Sequence, residues 1–130
     1  MRKTKVLLVD DDQELLRVYS KIFTLHGFDI ATCSSGAEAL ERLAAGEISV
    51  VITDIIMPRM SGMELLKKIS RSWPCCEVIM LTAEGSIAEA VAAMKQGAFS
   101  YFVKPADIDE MISSVRKAQE LEDAKAENSL

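Results

Sequence analysis

Apolar residues recur along this chain in two alternating rhythms. Short near-continuous runs occur at 5–9, 50–53, 78–82 and 99–103. Between them, apolar side chains return at every third or fourth position. The first rhythm predicts strands, those at 6–9, 50–52 and 78–81 central and covered on both faces, and the second predicts helices with one inward stripe. Leu15, Leu16, Tyr19, Ile22 and Phe23 mark a first helix that Gly27 ends, and 28–33 alternates apolar and polar residues like an edge strand with one wet face. A second helix is expected over 35–45, with Gly46 past its end. A third spans 61–71, with Leu65, Leu66 and Ile69 inward. A fourth spans 86–96, with Ile87, Val91 and Met94 on one face. A fifth runs from 107 to about 120, with Ile108, Met111, Ile112 and Val115 inward.

Helix starts carry their own signal. Ser35 with Glu38, Ser61 with Glu64, Ser86 with Glu89 and Asp107 with Glu110 have the spacing of a capping box. In that box the first side chain accepts from an orphan N–H and the acid reaches back to another. Five strands alternating with five helices predict an α/β fold with a mostly parallel sheet, because right-handed crossovers lay the helices on both faces. From Ala118 the chain turns acidic, with Glu120, Glu122, Asp123 and Glu127 against Lys125 alone. We therefore expect a domain over 1–120, and a helix extension or linker over 121–130.

Bulk composition narrows the function classes. The 130 residues suit one domain, and 49% hydrophobic with 27% charged is ordinary for a globular protein. A net charge of −5 does not advertise a nucleic-acid surface, and no apolar stretch reaches the roughly 20 residues that span a bilayer. The basic start, Met1-Arg2-Lys3-Thr4-Lys5, runs into a strand-like segment and does not resemble a signal peptide. Cys33, Cys75 and Cys76 fit neither zinc spacing nor a disulfide framework, which points to a reducing cytoplasm. His26 reads as a helix-end surface residue and Trp73 as a loop residue ahead of Pro74.

The chemistry sits where the runs end. Asp10, Asp11 and Asp12 follow the first apolar strand, Asp54 follows Val50–Thr53, Thr82 closes the fourth strand and Lys104 follows the fifth. In open parallel sheets these carboxyl ends share one edge, where ligands bind. One aspartate would serve as a helix cap, and Asp12 is the expected one. Two carboxylates about 4 Å apart repel by roughly 4 kcal/mol at an effective dielectric of 20, so a further cluster of acids calls for a cation. Hard oxygen ligands in small number suit Mg²⁺. Thr82 taken alone could be an ordinary strand residue, Lys104 a solvated lysine and Asp54 a turn residue before Pro58.

The segments Val9-Asp10-Asp11-Asp12, Thr53-Asp54-Ile55-Ile56-Met57-Pro58, Leu81-Thr82-Ala83 and Phe102-Val103-Lys104-Pro105 together resemble the receiver domain of two-component response regulators. Met60-Ser61-Gly62-Met63-Glu64-Leu65-Leu66 and Gln96-Gly97-Ala98-Phe99-Ser100-Tyr101 resemble it too, so the likeness covers about 5–117. It implies a flavodoxin-like three-layer (βα)5 domain whose central five-stranded parallel sheet has the order 2-1-3-4-5. It further implies that Asp54 is the phosphoacceptor, taking a phosphoryl group from a histidine kinase or a phosphotransfer protein. Mg²⁺ would be held by Asp11, Asp54 and the Ile56 backbone carbonyl, with Asp10 acting through water. Lys104 and Thr82 would contact phosphoryl oxygens, and Thr82 and Tyr101 would form the switch.

On that resemblance the domain is a phosphorylation-controlled signalling switch and not an enzyme of independent turnover. It shifts the surface of the fourth helix, fifth strand and fifth helix, through which receivers also homodimerise. It has no direct contact with nucleic acid and none with membrane. Ile56 and Glu84 would flank the path of a hydrolytic water. Two other readings stay open from the residues. One is a flavodoxin-like module holding FMN, opposed by the aspartates and by the lack of a Gly/Ser/Thr-rich loop after Val9. The other is a Mg²⁺-dependent aspartyl-phosphate phosphatase, for which Asp10-Asp11-Asp12 nominally supplies an Asp-x-Asp pair at the first strand. A degenerate receiver used only for interaction ranks below both, because all the expected polar residues are present. No recognisable effector follows the fifth helix, which suits a stand-alone receiver or an amino-terminal piece of a longer regulator.

Overall fold

Strand and helix alternate strictly in the computed structural model, which describes residues 5–128. The elements are β1 (Lys5–Val9), α1 (Gln13–Leu25), β2 (Asp29–Cys33), α2 (Gly36–Ala44), β3 (Val50–Thr53), α3 (Gly62–Ser72), β4 (Glu77–Thr82), α4 (Ile87–Lys95), β5 (Ser100–Val103) and α5 (Ile108–Asn128). All neighbouring strands are parallel, in the order β2-β1-β3-β4-β5. The basic start at 1–4 and the last two positions of the 121–130 extension lie outside the described residues.

Why the inner strands read as unbroken apolar runs is visible in the packing. Successive residues point to opposite faces, and each face has its own core. Leu7, Val9, Val51, Val78 and Met80 meet Ala39 and Leu43 of α2, Leu65, Leu66 and Ile69 of α3, and Ala93 of α4. Val6, Leu8, Val50, Ile52, Ile79 and Leu81 meet Leu16 and Phe23 of α1 and Met111, Ile112, Val115 and Ala118 of α5. Helices α1 and α5 therefore cover one face and α2, α3 and α4 the other. β2 is an edge strand, and its middle residues are half-buried.

The first half of each expected cap forms, and among the described residues no acid bonds back to its cap N–H. Asp12 Oδ1 accepts from the Glu14 and Leu15 N–H groups; Ser35, Ser61 and Ser86 each accept from the N–H three residues on, and Asp107 does the same for Glu110. Phe28, expected in the second strand, lies just ahead of β2 and packs back on the end of α1. Its N–H bonds the Phe23 carbonyl at 3.1 Å and its ring meets Phe23 edge-on at 5.5 Å. The apolar face of α4 is turned outward: Ile87, Val91 and Met94 are 85%, 46% and 48% exposed, and Ala93 is the buried residue of that helix.

Helix α5 continues without a break past 120. Lys125 Nζ meets Glu77 Oε2 at 2.6 Å, and Glu77 is buried at the start of β4. Removing one partner of a buried pair leaves an uncompensated charge, although the half-exposed Lys125 softens the penalty. Lys125→Met is expected to lower stability by about 1–2 kcal/mol, and Glu77→Gln in the same chain to restore most of it. Thermal melting of the two single variants and the double variant checks the cycle.

Candidate functional site

Register brings the strand-end residues together. Val9 pairs with Thr53, so Asp10 and Asp54 are the first residues past two adjacent strands. The Asp54 N–H bonds the Val9 carbonyl at 3.1 Å, which extends that ladder to the aspartate itself. Thr82 pairs with Val103, and the Lys104 N–H bonds the Thr82 carbonyl at 2.8 Å, which seats Lys104 at the same edge. The Lys104–Pro105 peptide is cis.

Carboxylate oxygens of Asp10, Asp11 and Asp54 all lie within 4.8 Å of one another. Asp10 and Asp54 are buried and Asp11 is exposed. Lys104 Nζ reaches Asp10 Oδ2 at 2.8 Å and Asp54 Oδ2 at 3.3 Å, so one ammonium serves two buried acids. Burial pushes the Asp10 carboxyl above its ordinary range, against the opposing pull of Lys104 and of the Asp12 N–H. For Lys104, burial alone would lower the value, but the hydrogen bond and charge of Asp10, with those of Asp54, carry it upward. Three acids against one lysine leave a negative edge, and their hard oxygen donors fit a small divalent cation.

Two further groups define the pocket's chemistry. Thr82 Oγ1 is fully buried and, among the described residues, has no hydrogen-bond partner. A buried hydroxyl left without a partner costs on the order of 1–3 kcal/mol, which an arriving acceptor oxygen would relieve. Asp54 Oδ1 accepts from the Ile56 N–H at 3.3 Å, placing the Ile56 peptide beside the carboxylate. The Ile56 side chain is 55% exposed next to it.

Gly62 was part of a motif in the sequence, but its physical role needed the structure. Its N–H bonds the Ile55 carbonyl at 2.7 Å, and a Cβ there would fall onto the Asp54 carbonyl oxygen and lie 2.8 Å from Ile55 Cα. The start of α3 is thus pressed against the peptide that carries Asp54. Asp12, the acid that an Asp-x-Asp chemistry at β1 would need, is engaged as the α1 cap, and Asp10 accepts from its N–H at 2.9 Å. Tyr101 is half-buried on β5, and its hydroxyl donates to Glu89 Oε1 at 2.9 Å. The three cysteines are free thiols: Cys33 closes β2 at this edge, its carbonyl accepting from the Asp10 N–H at 3.2 Å, and Cys75 and Cys76 precede β4; burial pushes Cys33 up to about 11 and Cys76 up to about 12.

A family model described as the response regulator receiver domain matches residues 6–116. The transcriptional regulatory protein GlrR of Escherichia coli K12 is 43% identical over 115 residues, which is 88% of this chain and 26% of that protein. The chain therefore spans about a quarter of the length of the curated relatives it matches. A response regulator receiver domain protein from Clostridium thermocellum superposes with a TM-score of 0.85 at 34% identity, covering 90% of this chain and 94% of that one. The beryllofluoride-activated NtrC4 receiver domain dimer gives 0.86 at 28% identity, covering 91% and 98%.

Proposed function

Because the chain belongs to the response regulator receiver domain family of two-component signalling, we propose that it is a phosphorylation-controlled switch in which Asp54 is the phosphoacceptor. The observation that carries this reading is the fully buried hydroxyl of Thr82, without a partner among the described residues, at the edge where Lys104 bridges Asp10 and Asp54. An Asp54 carboxylate oxygen attacks the phosphorus of a phosphohistidine on a histidine kinase or phosphotransfer protein. The P–O bond forms as the P–N bond breaks, and the leaving imidazole takes a proton. Lys104 shifts part of its pairing from the carboxylates to a phosphoryl oxygen, and Thr82 donates to another. Positioning and charge stabilisation supply most of the catalysis in such transfers.

Asp11, Asp54 and the Ile56 carbonyl would hold Mg²⁺, with Asp10 acting through water. The metal supplies neutralisation of the charge that keeps an anionic donor away. The donor set fits, since three carboxylates meet within 4.8 Å. The free cysteines and the absence of any described helix long and apolar enough to cross a membrane suit a cytoplasmic signalling domain. Output passes through α4, β5 and α5; the exposed apolar side chains of Ile87, Val91 and Met94 on α4 and of Val103 on β5 suit a homodimer. We place the domain at 1–120, with 121–130 as a carboxy-terminal helix extension or linker.

Acetyl phosphate with Mg²⁺ tests the reading. Intact-mass analysis is expected to show a single added phosphoryl group, mapped to Asp54; none, or one elsewhere, would overturn it. Ile56 bears on lifetime. Its exposed aliphatic side chain beside Asp54 cannot orient a water, whereas Glu84 can. Ile56→Asn is expected to change the decay rate of the acyl phosphate severalfold while leaving phosphorylation intact. An unaltered decay curve rules this out.

A further inference from the structure

The acid of one capping box bonds to the neighbouring strand. Ser86 Oγ accepts from the Glu89 N–H at 3.1 Å, which is the ordinary first half of the motif. The Glu89 carboxylate, however, accepts from the Tyr101 hydroxyl at 2.9 Å, across the gap between α4 and β5. Both residues are half-buried, so the bond is only partly exposed to water. Gly85, which precedes the cap, lies so close to β5 that a Cβ there would strike Val103 Cγ2 and stand 3.5 Å from the Tyr101 hydroxyl. The loop leaving Thr82, the first turn of α4 and the Tyr101 ring therefore form one contact. α4 buries only Ala93 in the core, while Ile87, Val91 and Met94 face out, so little apolar burial fixes this helix.

We propose that Glu89 is a positioning residue: its carboxylate latches Tyr101 against the first turn of α4, and phosphorylation of Asp54 must release that latch before α4 and β5 can rearrange. This rests on the reading of Tyr101 as part of the switch and names what holds it. A hydroxyl donating to a carboxylate is among the stronger hydrogen bonds, and a ligand that favours the released state binds more weakly by the fraction in which the latch is closed. The same contact leaves a spectroscopic mark. Burial, the hydrogen bond to Glu89 and the charge of Glu89 push the Tyr101 phenol up to about 12.

The test uses Tyr19→Phe as background, which leaves Tyr101 as the only phenol. Ultraviolet titration is expected to place that phenol well above its ordinary value, and Glu89→Gln to bring it back down. Beryllofluoride with Mg²⁺, as a phosphoryl mimic, is expected to bind Glu89→Gln and Glu89→Ala roughly tenfold more tightly than the parent. Tyr101→Phe, which deletes the donor, should tighten binding similarly, and adding Glu89→Gln to it should change nothing more. A lost helix cap would move the melting temperature but neither the phenol nor this non-additivity. An ordinary phenol in the parent, or one that ignores Glu89→Gln, overturns the latch. So does beryllofluoride affinity that is equal in parent and variants. A parent that takes up no beryllofluoride overturns the phosphoacceptor reading instead.

Discussion

Asparagine at position 54 is expected to abolish phosphoryl uptake from acetyl phosphate and, without Mg²⁺, to raise the melting temperature by several degrees. The amide is a poor nucleophile toward phosphorus, so the loss of uptake is complete. The stability gain follows from a balance of charges. Asp54 faces two like charges within 4.8 Å, on Asp10 and Asp11, and one opposite charge, Lys104, at 3.3 Å. Each such term is of order 4 kcal/mol at an effective dielectric of 20, and solvent weakens the one to exposed Asp11. Two repulsions outweigh one attraction, and Lys104 keeps its 2.8 Å bond to Asp10 in the variant. A net gain of about 1–2 kcal/mol corresponds to roughly 4–8 °C. Mg²⁺ reverses the ranking. At a hundred times its dissociation constant it adds about 2.7 kcal/mol to a chain that binds it only when folded, and the variant has lost a ligand. Melting curves of both chains with and without the metal check this. A variant that melts below the wild type in the absence of metal would show that the carboxylates do not crowd.

Gly62→Ala is the second large effect. The added Cβ meets backbone on two sides, the Asp54 carbonyl and Ile55 Cα, and neither can move without opening the junction of β3 and α3. The 2.7 Å bond from the Gly62 N–H to the Ile55 carbonyl would lengthen with it. Overpacking of this kind costs about 1–3 kcal/mol or more, and here it also displaces the phosphoacceptor. The variant is expected to melt roughly 10 °C lower and to take up phosphoryl groups at least tenfold more slowly, since small misplacements of a reacting group carry such penalties. Gly46 supplies the contrast. It has φ +93 but open space around its Cβ, so Ala there should cost only about 1–2 kcal/mol of backbone strain and leave the phosphorylation rate alone. Equal rates for Gly62→Ala and the wild type would remove Gly62 from the positioning of Asp54.

Much of this protein is legible one segment at a time. The runs that became β1, β3 and β4 are apolar throughout because α1 and α5 cover one face and α2, α3 and α4 the other. The caps at Asp12, Ser35, Ser61, Ser86 and Asp107 are local contacts of two or three residues, so spacing alone locates them. Even the meeting of Asp10, Asp54 and Lys104 follows from short-range rules. Parallel strands end at one edge, and each of these residues is the first after its run.

What only the tertiary structure decided are contacts between groups far apart in the chain. The periodicity of α4 gave it an apolar face but could not say that this face looks outward, because small Ala93 is what fits against the sheet. Glu89 reads as a capping acid, yet its carboxylate goes to Tyr101, 12 positions on. Glu77 and Lys125, 48 positions apart, pair at the edge opposite the aspartates. Local propensity and spacing specify elements and their ends. Which side chains then touch depends on how closely helices settle on the sheet, a property of the whole core that no single segment contains.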